Sequence, residues 1–205
     1  FRAAINRALR AQQSQLLALR RSEEAREISR ALLGQLARFL RAAGQKRPAG
    51  GVPRYRLSLG VRAVGLRGDT LCGDCGTSFQ CGVTQYVLLC DGMGTGSGAQ
   101  SDAQEAISVL QSLLTLGFDA MDAAAMLNEL YVLRGDGCFS TVDLLEMDLC
   151  TGEGALYKWG AAPSYLKKGG TVKKIGTASP PPGLGVGEEH RAERVGLSLQ
   201  RGEQL

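Results

Sequence analysis

The chain has 205 residues, of which 44% are apolar and 21% charged. These proportions are typical of a globular protein and exclude a disordered chain. No apolar run reaches the roughly 18 to 20 residues of a membrane-spanning helix. The charge is unevenly divided: residues 1–70 hold 15 Lys and Arg against four Asp and Glu, whereas residues 71–205 hold nine against 16. The basic part is therefore suited to an acidic partner and the acidic part to a metal ion.

The first periodic segment covers residues 4–43, which contain no Pro and only one Gly, Gly34. Apolar residues recur there at helical spacing, which predicts a helix with a packing or coiled-coil surface. No aromatic residues alternate with its Arg residues, so we favour packing and expect no nucleic-acid partner. The alternative, a basic helix that binds nucleic acid, predicts DNA binding with a steep salt dependence.

Residues 44–53 have the composition of a linker, and the pattern changes after them. We therefore expect an N-terminal regulatory or linking helix over residues 1–47 and a second domain over residues 48–205. In that domain a turn lies near Gly82, and Asp119 is suited to cap a helix. Alternation of apolar and polar residues predicts strands, and helical spacing predicts two helices. The predicted strands are 55–63, 77–80, 85–90, 139–150, 155–159, 163–168, 171–175 and 191–199, and the predicted helices are 101–116 and 120–134. Short turns between successive strands favour antiparallel sheets, so the fold class is α+β.

The segment 88–98, LLCDGMGTGSG, is the most informative part of the chain. An apolar strand ends there in Asp91 and turns through glycines into a helix. The Asp91 carboxylate and the Gly92 carbonyl offer hard oxygen ligands, and Asp74 precedes the neighbouring strand. If the two strands form a hairpin, both carboxylates reach one sheet edge and suit Mg²⁺ or Mn²⁺. Asp-Gly is also the commonest turn dipeptide, so spacing alone leaves a plain turn open.

The same residues carry a family resemblance. CDGMGTG, with Asp74 seventeen residues before Asp91, resembles the PPM family of metal-dependent serine/threonine protein phosphatases. Within that family, the chain is similar to the phosphatase domains of the stage II sporulation protein E group. Three further stretches fit in order: Leu133-Arg134, FSTVDL at 139–144 and TGEGALYKWGAAPSYLKKGG at 151–170. The resemblance covers roughly residues 70–187. It implies an αββα sandwich of antiparallel sheets, with a helical hairpin on one face and a helix before it.

The resemblance also implies a chemistry. Two divalent ions, Mn²⁺ or Mg²⁺, activate a water that attacks a phosphoserine, and no catalytic side chain is needed beyond that water. By position, Asp74, Asp91 and Gly92 match the metal ligands of the family. Arg134 is a candidate phosphate or switch residue.

The family's sporulation members dephosphorylate an anti-anti-sigma factor and are anchored in the membrane through a preceding region. The resemblance thus implies a cytoplasmic domain, a phosphorylated anti-anti-sigma protein as substrate and membrane contact only through an upstream region. Homodimerisation through the helices stays open, and we hypothesise that helix 4–43 regulates the helix pair 101–134. The family completes its metal site with later aspartates in SDG and DD-type segments, which we expect to follow Leu205. Residues 1–205 alone are therefore predicted to have negligible activity, and a non-catalytic binding or dimerisation module is the alternative.

Overall fold

The computed structural model describes residues 51–65, 71–135, 137, 139–176, 179–184 and 191–205, together with positions 20, 21, 23, 30 and 34. The chain divides into two compact units, Phe1–Gly44 and Gln45–Leu205. The described positions of the first unit are helical. Most of the helix predicted over residues 4–43 lies outside the described residues, and its regulatory role stays a prediction.

The described part of the second unit contains an antiparallel sheet of five strands and a separate two-stranded hairpin. In chain order the strands are β1 (Asp74–Cys81), β2 (Thr84–Gly92), β3 (Ser140–Asp148), β4 (Glu153–Trp159), β5 (Ser164–Lys168), β6 (Thr171–Ile175) and β7 (Glu193–Ser198). The large sheet has the order β1-β2-β3-β4-β7, and β5 pairs with β6. All strand pairs in both sheets are antiparallel, as the sequence predicted.

Two helices form the second layer: α1 (Gly96–Thr115) and α2 (Ala120–Arg134). The α1 helix packs on β1, β2 and β3 with a buried stripe of small and branched residues, and α2 packs on α1. The buried residues of α1 are Ala99, Ala103, Ala106, Leu110 and Leu114. As predicted, Gly117 follows the end of α1 with a φ of 90°, and the Asp119 carboxylate caps α2 by accepting a hydrogen bond from the Met121 N–H at 2.8 Å.

The two faces of the large sheet are buried differently. The face under the helices carries apolar side chains such as Leu88, Cys90 and Leu144. The opposite face holds a second apolar cluster, in which Leu145, Met147 and Leu156 pack against Ile175 of β6 and Leu199. The β4 strand is therefore covered on both faces. The predicted α+β class, with antiparallel sheets and a helical pair on one face, is confirmed.

The prediction of a strand over residues 55–63 is wrong. Residues 51–65 have no regular secondary structure, and only Tyr55 and Leu57 on the alternating side are half-buried. The backbone N–H groups of Arg54 and Tyr55 both donate to one carbonyl, that of Leu149, at 2.8 and 2.9 Å. Because both N–H groups share one acceptor, they hold the segment in place but do not form the repeated hydrogen bonds of paired strands.

Among the described residues, the helices are too short or too polar to span a lipid bilayer.

Candidate metal centre

The first two strands place Asp74 and Asp91 directly opposite one another. The next pair along the ladder is hydrogen-bonded, because the Gly92 N–H donates to the Gly73 carbonyl at 3.3 Å. Asp74 and Asp91 therefore occupy a non-hydrogen-bonded position, where Cα atoms stand about 4.5 Å apart and side chains come closest. This is the convergence of carboxylates that the sequence predicted.

The two carboxyl groups interact unfavourably. Partial desolvation raises the pKa of Asp91, and the hydrogen bond to Asp74 and the negative charge of Asp74 raise it further. A cation bound beside the two carboxylates would offset this repulsion. Within the described part of the chain, neither forms an ion pair with Lys or Arg.

The backbone beside the pair is tightly packed against α1. A Cβ atom on Gly92 would lie 1.8 Å from the carbonyl oxygen of Ala99, so only glycine fits there. A Cβ atom on Gly73 would lie 3.7 Å from Asp91 Oδ1 and 3.8 Å from the Gly92 carbonyl oxygen. The two oxygens thus border the same small space, which the absent side chain of Gly73 leaves open.

This set of donors fits a divalent cation. Carboxylate and carbonyl oxygens are the ligands that Mg²⁺ and Mn²⁺ prefer, and these ions keep further positions for water or substrate. Among the described residues, no cluster of three or more His, Cys, Asp and Glu has the geometry of a metal site. The protein ligands available here are therefore two carboxylates and one carbonyl.

A cavity of about 890 Å³ opens beside the carboxylate pair. Asp74 and Asp91 line it together with Thr141 and Asp143 of β3. The cavity is also lined by Gly160–Pro163, Lys174, Gly176 and Ser179. The lining of the cavity therefore combines three carboxylates with several small residues.

Arg134, the predicted phosphate or switch residue, lies at the end of α2. Its guanidinium forms ion pairs with two carboxylates of α1, Asp102 at 3.0 Å and Glu105 at 2.5 Å, and stands 5.1 Å from the ring centre of Tyr131. The Tyr131 hydroxyl shares a 2.8 Å hydrogen bond with Ser140 of β3. Arg134 thus joins the two helices close to their contact with the sheet.

Sequence reasoning did not identify Lys158 as a site residue. Its side chain is fully buried in β4 and forms an ion pair with Asp143, which lines the cavity. Burial raises the pKa of Asp143, and the ammonium of Lys158 acts in the opposite direction. The only signal in the sequence was a lysine within an otherwise apolar run, ALYKW at 155–159.

Residues 83–205, more than half of the chain, match the family described as stage II sporulation protein E (SpoIIE). The chain belongs to the SpoIIE family. Over 158 residues it is 31% identical to stage II sporulation protein E of Bacillus subtilis (strain 168). That stretch is 76% of this chain and 19% of the relative, so the chain spans about a fifth of that protein's length.

Solved structures agree with this assignment. The structure of the PP2C phosphatase domain and a fragment of the regulatory domain of SpoIIE from Bacillus subtilis is similar with a TM-score of 0.67 and 28% identity. The match covers 74% of this chain and 45% of that chain. The structure of RsbX in complex with magnesium has a TM-score of 0.54 at 13% identity, covers 69% of this chain and 68% of that one, and shows the shared fold alone. The predicted family resemblance is confirmed.

Proposed function

We propose that this chain belongs to a metal-dependent protein serine/threonine phosphatase and supplies part of its metal site. One observation carries the proposal: Asp74 and Asp91 lie directly opposite one another across β1 and β2, at one edge of the sheet. Membership of the SpoIIE family and the likeness to a SpoIIE phosphatase domain support it.

In this proposal the carboxylates of Asp74 and Asp91 and the carbonyl of Gly92 hold the divalent ions. We propose two ions, Mn²⁺ or Mg²⁺, and the magnesium complex of RsbX supports this type of metal. When bound, such ions lower the pKa of a water molecule and offset negative charge on the phosphoryl group. The protein itself fixes the two carboxylates at one sheet edge and, through Gly73 and Gly92, keeps the adjacent space free of side chains.

The substrate that we propose is a phosphoserine on a regulatory protein. The family name supports a role in sporulation. We propose that the substrate is an anti-anti-sigma protein and that the reaction belongs to sporulation sigma-factor control. We also propose that the chain works as a cytoplasmic domain of a membrane-anchored protein, and that its helices offer a surface for homodimerisation. Since the chain spans about a fifth of its curated relative, these statements concern the whole protein.

Arg134 enters the proposal as a switch residue. Its ion pairs hold α2 to α1, and the Ala99 backbone of α1 lies against Gly92. A shift of the helix pair would therefore displace the Gly92 carbonyl relative to Asp91. Direct contact of Arg134 with a phosphate would first require its ion pairs with Asp102 and Glu105 to break.

The experiment has a binding arm and a catalytic arm. Mn²⁺ binding is measured by titration calorimetry on the chain, on Asp74→Asn and Asp91→Asn, and on Glu153→Gln as an exposed carboxylate control. Removing a ligand is expected to weaken Mn²⁺ binding at least about 100-fold, beyond the loss typical of outer-sphere mutations. Phosphate release from a phosphoserine peptide is then measured on the full gene product, in Mn²⁺ and in EDTA.

The outcomes separate the candidate functions. Metal-dependent phosphate release that both Asp variants abolish supports the phosphatase. Tight Mn²⁺ binding without phosphate release favours the non-catalytic module. A wild-type chain whose Mn²⁺ affinity equals that of Asp91→Asn refutes the metal site.

A further inference from the structure

A buried lysine that the proposed chemistry does not use lies next to the cavity. Lys158 has 0% of its surface exposed. A buried ammonium is costly unless it is paired and hydrogen-bonded. Lys158 meets both conditions, because its Nζ forms an ion pair with Asp143 of β3 and donates a hydrogen bond to Ser164 Oγ of β5 at 2.9 Å.

The surrounding backbone is shaped around this side chain. A Cβ atom on Gly176, whose φ is +91°, would lie 2.4 Å from Lys158 Cδ, so glycine provides the space for the aliphatic stem. The Ser179 hydroxyl donates to the Lys158 carbonyl and accepts from the Gly160 N–H, both at 3.2 Å. Lys158 therefore connects β3, β5 and the segment that follows β6.

These contacts enclose a short stretch of chain, Gly160–Pro163, which we call the GAAP segment. It runs from the end of β4, next to Lys158, to Ser164, which begins β5 and accepts the hydrogen bond of that lysine. Gly160 has a φ of +60°, and a Cβ atom there would lie 2.6 Å from Pro181 Cβ. Both ends of the segment are thus held, and the whole segment lines the same cavity as Asp74 and Asp91.

We propose that Lys158 is a positioning residue for substrate binding. It holds the GAAP segment against the cavity, where the phosphorylated stretch of a protein substrate lies between that segment and the carboxylate pair. This inference rests on the proposed function and assigns it a substrate-binding surface. The segment has small side chains that admit an extended peptide, and Lys174 is the cation that lines the cavity among the described residues.

The test removes the charges of Lys158 and Asp143 and keeps side chains of similar volume. Lys158→Met alone leaves the half-buried Asp143 without its partner, which is destabilising. The decisive variant is therefore Lys158→Met combined with Asp143→Asn, since replacing both members of a buried pair by neutral groups of similar volume is often tolerated. Lys173→Met, at an exposed position on β6, is the matched control.

Three quantities are measured on the full gene product. Fluorescence anisotropy in Mn²⁺ gives the affinity for a peptide that carries the non-hydrolysable phosphonate analogue of phosphoserine. Calorimetry gives the Mn²⁺ affinity, and hydrogen exchange gives the protection of residues 159–164. With a folded double variant, we expect about tenfold weaker peptide binding, because ordering a released segment costs conformational entropy. Faster exchange in residues 159–164 and unchanged Mn²⁺ affinity complete the expected result.

Wild-type peptide affinity in a folded double variant overturns the inference, and so does a parallel loss of Mn²⁺ affinity. A wild-type protein that does not bind the peptide also overturns it. In that case, metal-dependent hydrolysis of p-nitrophenyl phosphate still supports the proposed phosphatase. Conversely, the expected change in peptide binding without any hydrolysis supports the positioning role and refutes the catalytic proposal.

Discussion

The contact between Gly92 and α1 allows a quantitative test of how the metal centre is built. In a Gly92→Ala variant, the new methyl carbon would lie 1.8 Å from the Ala99 oxygen, 2.6 Å from its carbonyl carbon and 2.9 Å from its Cα. Cβ atoms practically never come closer than 3.0 Å to another heavy atom. The first turns of α1 must therefore move by at least about 1.2 Å relative to β2, since backbone atoms cannot rotate away as a side chain could.

The expected loss in the free energy of unfolding follows from this displacement. Overpacking a tight interface typically costs about 1–3 kcal/mol, and a clash with backbone belongs at the upper end of that range. For a chain of this length, a loss of about 3 kcal/mol lowers the melting temperature by about 6–12 °C. Because Gly92 also supplies the proposed carbonyl ligand, we expect Mn²⁺ binding to weaken about tenfold or more.

Gly98→Ala is the matched control. Gly98 also lies in the first turns of α1, but a Cβ atom there would have no neighbour within 4 Å. Alanine at this position should stabilise the protein by about 0.4–1 kcal/mol, since it restricts the unfolded chain and favours the helix. Thermal unfolding followed by circular dichroism and calorimetry with Mn²⁺ measure both variants. Equal melting temperatures and Mn²⁺ affinities for Gly92→Ala and the wild type would refute the reasoning.

Two further predictions concern the helix pair. The pKa of Tyr131 is raised to about 12, mainly by burial, so the folded state keeps its proton where the unfolded state, near 10, releases it. Stability should therefore fall as the pH rises from about 10 to about 12; Tyr131→Phe should flatten this dependence in urea titrations, and an unchanged slope contradicts the assignment. Arg134→Met should lower the free energy of unfolding by about 1–2 kcal/mol through the loss of two ion pairs and a cation–π contact. If it leaves Mn²⁺ affinity unchanged, Arg134 is not a switch residue.

The features that sequence reasoning predicted correctly are determined locally. The hairpin of β1 and β2 turns near Gly82, so Asp74 and Asp91 could be predicted to reach one sheet edge, and the structure places them directly opposite each other. The cap at Asp119 likewise depends only on the residues next to it.

The features that were missed depend on distant parts of the chain. The alternation of apolar and polar residues over 55–63 indicates which side chains share a face. It does not indicate whether a neighbouring strand is close enough to pair with this segment. The α1 helix begins at Gly96, five residues before its predicted start, although glycine disfavours helices, and the Ala99 backbone packs against Gly92. Lys158 interrupts an apolar strand, which normally marks a solvent-facing position. Only the packing of β5 and Gly176 over that face of β4 shows that it is buried.

The opposed carboxyl groups of Asp74 and Asp91 also link the stability of the folded state to a bound cation. Without a bound cation the folded state carries a repulsion that the unfolded chain relieves by separating the two residues. A cation that binds only the folded state stabilises it by about 2.7 kcal/mol at a concentration 100 times its dissociation constant. Under the proposed function, we therefore expect the supply of manganese or magnesium to change the fraction of molecules that is open to proteases.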